Sequence, residues 1–124
     1  MWLAERAARA GEPAGLQAET GTVTIGGSSA AVLLSGECRD VRPLAPGGVL
    51  WLPEAGEPAL VLETGAGERF LLGIAAEADG LAAGELELRR GDAAIRLRRD
   101  GTILLRGAVQ IEGSLALNGT ELEA

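Results

Sequence analysis

The fold of this chain follows from its residues 101–119, which are Gly101-Thr-Ile-Leu-Leu-Arg-Gly107-Ala-Val-Gln-Ile-Glu-Gly113-Ser-Leu-Ala-Leu-Asn-Gly119. A glycine recurs here at every sixth position, and two aliphatic residues hold the same two places in each hexad. Alternate residues of a strand point to opposite faces, and glycine within such a pattern marks a sharp turn. Each hexad is therefore predicted to be a short two-sided strand that ends at Gly101, Gly107, Gly113 or Gly119.

Strands of this length cannot persist alone, because each leaves a row of unpaired backbone groups at its edge. Repeats solve this problem by stacking, within one chain or among several. Four or five hexads would build only about 25 Å of stack at the usual strand spacing, so we expect three copies to wind around one threefold axis. The aliphatic places then point to a dry axis, and they are Leu97, Ile103, Leu105, Val109, Ile111, Leu115 and Leu117. Leu104 is the one apolar residue at an outward place.

The sequence before this repeat predicts a small all-β barrel. Short aliphatic runs alternate with glycine and proline turns every 8 to 12 residues, a spacing typical of barrels and sandwiches. The predicted strands include residues 22–25, 31–34, 38–44, 49–52, 59–62 and 70–74. We expect an N-terminal helical or extended segment over residues 1–19, a barrel over residues 20–82 and a trimeric stem over residues 84–124.

Composition argues against catalysis. The chain has no His, Tyr or Lys, so the usual general bases, Schiff-base amines and triads are lacking, and we expect no enzyme activity and no cofactor. Cys38 is the single cysteine and is predicted to be a buried small hydrophobe in a protein made in the cytoplasm. Trp51 and Phe70 are expected in the core, and the net charge of −7 argues against nucleic acid as a partner.

Charged residues in the repeat region have a simpler explanation than a binding site. Six arginines lie between Arg89 and Arg106, interspersed with Glu85, Glu87, Asp92 and Asp100. This mixture predicts ion pairs between strands of neighbouring chains, each contributing a few tenths of a kcal/mol. Acid pairs such as Glu85 with Glu87 share a strand face and are expected to be solvated, with no metal bound.

Several pieces of the sequence resemble the central spike, or baseplate assembly protein V, family of contractile-tailed phages. The pieces Ile95-Arg-Leu97, Asp100-Gly-Thr-Ile103 and Ser114-Leu-Ala-Leu-Asn-Gly119 are similar to the family's intertwined triple-stranded β-helix and come in its order. Upstream, Pro46-Gly-Gly-Val-Leu-Trp-Leu-Pro53 resembles the last part of its oligonucleotide/oligosaccharide-binding (OB) barrel, as do residues 56–62 and 70–74. The resemblance implies a homotrimeric structural spike below a hub protein, carried in the baseplate of a tail particle, that pierces the target cell envelope.

One departure from that family concerns the tip. Many members end in His-x-His residues that hold an iron ion, and this chain has no His. The residues after Gly119 are Thr-Glu-Leu-Glu-Ala, which offer no replacement ligand set. We therefore expect a blunt tip or a separate capping protein, with Leu122 as its apolar contact.

Two other interpretations remain open from the residues. A hexapeptide-repeat acyltransferase also repeats every six residues, but it needs more coils, a catalytic His and one main aliphatic place per hexad. A secreted β-solenoid adhesin or polymer-forming scaffold uses the same stacking principle. A trimer, a monomer and an open-ended fibre would distinguish the spike, the enzyme and the scaffold, respectively.

Overall fold

The protein is all-β in the residues that the structure, a computed structural model, describes, namely 17–75 and 80–123. They fall into two compact units divided between residues 77 and 78. The first unit holds β1 (Gln17–Ile25), β2 (Ala30–Leu33), β3 (Glu37–Pro43), β4 (Pro58–Glu63) and β5 (Arg69–Gly73). The second holds β6 (Leu86–Arg90), β7 (Ala93–Leu97), β8 (Ile103–Arg106), β9 (Leu115–Leu117) and β10 (Thr120–Leu122). The expected all-β class and small barrel are confirmed. Of the predicted N-terminal segment, residues 1–16 lie outside the described residues, and residues 17–19 belong to β1.

The first unit is a closed barrel with the strand order β1-β2-β3-β5-β4. All neighbouring strands are antiparallel except β3 and β5, which run parallel. β1 closes the barrel because its first part pairs with β4 and its last part pairs with β2. Gly21 lies where the two pairings meet, and a Cβ atom there would come within 2.2 Å of the Leu33 carbonyl oxygen. Glycine is therefore needed at this position for the backbones to approach.

Aliphatic side chains fill the barrel, at alternating positions on β4 and with register shifts along β2. Val32, Val41, Val61 and Leu71 are fully buried, and Val23 is nearly so. Cys38 is free and buried among them, as expected for a small hydrophobe. The core is small, so a single cavity-forming change should cost a large part of its stability.

An ion pair and a tryptophan ring lie at opposite ends of the β4–β5 ladder. At one end Glu63 pairs with Arg69 across the two strands, with 3.6 Å between the Arg69 Nε and a Glu63 carboxylate oxygen. At the other end the ring of Trp51 lies against Gly73, which pairs with Ala59. Trp51 thus packs against the core as expected, although it reaches the core from a loop.

Two sequence predictions for the barrel are wrong. Residues 49–52 form no strand, because the Val49 amide closes a turn onto the Pro46 carbonyl and the Trp51 indole donates to the Leu44 carbonyl, at 3.0 Å in both cases. Phe70 is not a core residue, since its neighbour Leu71 takes the inward place on β5. Phe70 lies half-buried on the outside, with the Arg42 guanidinium 4.9 Å from its ring centre.

The second unit contains an antiparallel three-stranded sheet, β6-β7-β8, and a β9–β10 hairpin. Asn118 and Gly119 join the hairpin strands with φ angles of 49° and 81°, the pattern of a two-residue type I′ turn. The four glycines of the hexad lattice all have positive φ, between 81° and 129°. The hexads containing β8 and β9 form the predicted strands, but the hexad between them, residues 108–113, has no strand in this single chain.

Candidate assembly surface

One face of the three-stranded sheet is mostly aliphatic, with Arg90 and Ala93 as the remaining pair at its edge. The registers place six of them in two rows, Leu86, Leu97 and Ile103 in one and Leu88, Ile95 and Leu105 in the other. Their exposed fractions range from 43% to 65%. We call this set the aliphatic face. A contiguous aliphatic surface of this kind is typical of an interface that another chain covers.

The opposite face of the same sheet carries the charges. Glu87 lies between Arg89 and Arg96, whose Nε atoms donate to its carboxylate at 2.6 and 2.7 Å. The Glu87 side chain is only 4% exposed and that of Arg96 only 12%. Arg96 also donates to the Gly80 carbonyl at 3.0 Å, so the chain near Gly80 lies along this face. The charged face is thus covered at Glu87 and Arg96, whereas the aliphatic face is open, which is the reverse of what a stable monomer in water needs.

Hydrogen bonds within the unit lower the pKa of three carboxylates, those of Glu85, Glu87 and Asp100. Hydrogen bonds from Arg96 and then Arg89 lower the pKa of Glu87. The backbone amides of Ala82 and Arg99 lower the pKa of Glu85, at 2.9 and 3.1 Å from its carboxylate oxygens. The Thr102 hydroxyl and amide likewise lower the pKa of Asp100. These groups are locally satisfied.

The expected ion pairing between chains is therefore corrected at two arginines. Arg89 and Arg96 bind Glu87 of their own chain, because β6 and β7 are adjacent antiparallel strands that bring Glu87 and Arg96 face to face. Glu85 and Glu87 are bound to arginine or backbone groups instead of being simply solvated. Among residues 17–75 and 80–123, no group of three or more His, Cys, Asp or Glu side chains is placed to hold a metal ion.

The predicted axis residues occupy three places in the second unit. Leu97, Ile103 and Leu105 belong to the aliphatic face. Val109 and Ile111 are 57% and 53% exposed in the segment without a strand. Leu115 and Leu117 lie on β9, and Leu122 faces Leu115 across the hairpin. Leu122, expected as a cap contact, is therefore a neighbour of the predicted axis residues.

Sequence reasoning missed three members of the aliphatic face, namely Leu86, Leu88 and Ile95. They alternate with charged residues in Glu-Leu-Glu-Leu and with small or charged residues in Ala-Ile-Arg-Leu, so period-two alternation alone identifies them. The six-residue glycine lattice does not identify these three residues, because the glycines near them are not spaced six residues apart. Leu104, the apolar exception in the repeat, lies on the charged face in the same row as Arg96 and is half-buried.

A charged hollow of about 290 Å³ lies on the barrel, lined by Arg39, Asp40, Arg42, Gly67, Glu68 and Arg69. Its arginines are already paired with carboxylates. Arg42 is 2.8 Å from Glu68, and Arg39 is 3.3 Å from Glu37. With its positive charge offset in this way, the hollow offers no strong attraction for phosphate groups.

No protein-family model matches the chain, and no curated protein sequence matches it either. Within the described ranges 17–75 and 80–123, there is no helix with the length and hydrophobicity needed to cross a membrane.

Proposed function

We propose that this chain is a structural subunit of a homotrimeric central spike, the needle of a contractile phage tail, tailocin or related injection machine, and that it is not an enzyme. The observation that carries the proposal is the open aliphatic face beside a covered charged face in the β6-β7-β8 sheet. Sister chains are the natural cover, because a threefold arrangement turns three such faces toward one axis. A trimer would carry a net charge of about −21, which disfavours nucleic acid as a partner.

In this proposal residues 84–124 form an intertwined triple-stranded β-helix. The segment 108–113 supports the idea, since it has the same alternation as β8 and the same flanking glycines but no strand partner within its own chain. A sister chain would provide that partner and would cover Val109 and Ile111. Many backbone hydrogen bonds would then have to break together before the chains could separate, which would make the needle resistant to force and detergent.

The barrel is proposed to be an OB fold that lies under the hub protein of a baseplate. Its five strands close in the order β1-β2-β3-β5-β4 with one parallel pair, an order in keeping with the five-stranded Greek-key barrel of that fold. The spike would be made in the bacterial cytoplasm, carried in the virion and driven transiently through the target cell envelope. In this proposal the needle is either blunt or met by a separate capping protein that contacts Leu122.

Substitution in the unpaired hexad tests the trimer directly. We expect Ile111→Asp to abolish trimerisation, because it places three carboxylates together in an apolar interior, where each unpaired charge costs several kcal/mol. The control is Gln110→Asp, which adds the same charge one residue away, at an outward place. Mass measurement by light scattering, with SDS-resistance on gels, reports the outcome.

Four results would contradict the spike or its assigned register. A monomeric wild-type protein would remove the basis of the proposal, and open-ended fibres would favour the adhesin or scaffold. A trimer of Ile111→Asp with wild-type heat resistance would refute the assigned register. Electron microscopy of an assembled tail that placed the chain away from the threefold axis would exclude the spike role.

A further inference from the structure

On one outer side of the barrel, the strands β1, β4 and β5 present no charged side chain among residues 17–75, and Arg42 of the neighbouring β3 borders this side at Phe70. On β1, β4 and β5 the outward residues form two rows, Ala18, Leu62 and Phe70 in one and Thr20, Leu60 and Leu72 in the next. Thr20 and Leu72 are exposed, and the three residues Leu60, Leu62 and Phe70 are half-buried. We call these six residues the uncharged wall. A barrel whose outside meets only water normally alternates apolar inward residues with charged or polar outward ones.

A second uncharged surface is the loop between β3 and β4. Its residues 43–53, Pro-Leu-Ala-Pro-Gly-Gly-Val-Leu-Trp-Leu-Pro, form an eleven-residue run without a charge, in a chain of which 23% is charged. The only polar side-chain group in the run, the Trp51 indole N–H, donates to the Leu44 carbonyl. The loop presents Val49, Leu50 and Leu52 to the outside, with exposed fractions of 46%, 96% and 55%. We call residues 43–53 the apolar loop.

The apolar loop is held at several points. Val49 donates its amide to the Pro46 carbonyl, and the Trp51 ring packs on Gly73 of β5. Pro53 is buried, and its carbonyl accepts the Gly27 amide at 3.0 Å. Leu50 therefore projects from a fixed frame. An apolar side chain presented in this way loses little conformational entropy on binding and is suited to be an interface anchor.

The net charge of the barrel bears on which partner fits the apolar loop and the uncharged wall. Residues 17–75 contain seven carboxylate side chains and three arginines, and each of the three arginines already pairs with a carboxylate. Two copies of this acidic barrel repel each other except where they meet through uncharged surfaces. The chain has two such surfaces that differ from each other, a projecting loop and a wall. A projecting patch that meets a different patch on the next copy makes a head-to-tail contact, which closes into a ring in a cyclic trimer.

We propose that the apolar loop of each barrel packs on the uncharged wall of the next copy, so that the barrels form a second trimer contact independent of the stem. This inference rests on the proposed homotrimer. Because each barrel is tied to its stem, stem assembly raises the effective concentration of the other barrels, and a contact that is weak by itself then becomes occupied.

Site-specific cross-linking of the full chain tests the contact. The variant Leu50→Cys with Thr20→Cys places one thiol on the loop and one on the wall, and both original side chains are exposed, so the barrel should fold normally. After mild oxidation we expect covalent dimers and trimers on a denaturing, non-reducing gel. The matched control is Leu50→Cys with Glu37→Cys, which moves the second thiol to β3, outside the wall. We expect at least ten times less covalent trimer from the control.

The outcomes separate the contact from the spike itself. If light scattering shows a trimer but the loop–wall variant gives no cross-links between chains, or only a disulfide within one chain, the contact is refuted and the stem trimer stands. Equal cross-linking of the two variants would also refute it. A monomer would refute both proposals. As a second measurement, Leu50→Asp should lower the melting temperature of the barrel in the trimer by several degrees, whereas Ala66→Asp, at an exposed turn, should not.

Discussion

The barrel and the stem are built from similar aliphatic residues but use them in opposite ways. In the barrel, Val32, Val61 and Leu71 are fully buried by strands of their own chain. In the stem, Leu88, Leu105 and Leu117 are 53% to 61% exposed. A barrel closes on itself and so has an inside, whereas a three-stranded sheet has two open faces and acquires an inside only from a partner. The difference teaches that one short chain can combine a unit that buries its aliphatic residues with a unit that leaves them exposed.

Truncation of one core residue in each unit should give the sharpest contrast. Leu71→Ala is expected to lower the free energy of unfolding of the barrel by about 3 kcal/mol, because it leaves a cavity in a fully packed interior. Leu105→Ala should leave the barrel unchanged and instead weaken the trimer. Urea unfolding at several protein concentrations distinguishes the two, since only the Leu105 effect should depend on concentration. If both variants lost stability by an amount that does not depend on protein concentration, the proposed difference between the two units would be wrong.

A smaller effect is expected when the pH is lowered, on the free energy of unfolding of the stem. The pKa of Glu87 is lowered from 4.5 in the folded chain by Arg96 and Arg89. A group with a lowered folded pKa stabilises the fold fully above its unfolded value, and that contribution disappears as pH falls through the folded value. Stem stability should therefore decline below about pH 4.5.

Glu87→Gln isolates that contribution. The variant should be less stable than the wild type at pH 7 and should lose less on acidification, because the amide does not titrate and holds the two arginines only weakly. Circular dichroism during urea unfolding at pH 7 and pH 3 provides the measurement. The control is Glu112→Gln, at an exposed position in the hexad without a strand. Identical acid sensitivity of wild type and Glu87→Gln would show that Glu87 does not stabilise the stem.

The smallest effect should come from an exposed ion pair on the barrel. Arg42 and Glu68 lie 2.8 Å apart, and their side chains are 61% and 55% exposed. Exposed pairs contribute between about 0 and 1 kcal/mol, since water screens them. Glu68→Gln should therefore change barrel stability by less than about 1 kcal/mol, as measured by thermal unfolding. A much larger loss would mean that the charged hollow organises the barrel more than its exposure suggests.

Several features of the fold can be predicted from the residues alone. Alternation at Ile103 and Leu105 identifies a two-sided strand, and the glycine lattice identifies the turns. The failures are local as well. Residues 49–52 have the composition of a strand, but the Val49 amide closes a turn onto the Pro46 carbonyl, and Trp51 packs against the core from this loop. Phe70 is predicted inward on size, whereas the β5 register gives that place to Leu71.

The sequence by itself determined the all-β class of residues 17–75 and 80–123, most of their turns and which residues share a strand face, because alternation and turn chemistry act between near neighbours. Only the tertiary structure decided which face of each strand is covered. Along β6, charged and aliphatic residues alternate regularly, so the sequence does not say whether the face with Glu87 or the face with Leu88 is covered. The register with β7 and the chain near Gly80 decide which face is covered. Those contacts join residues far apart in sequence, and no local pattern records them.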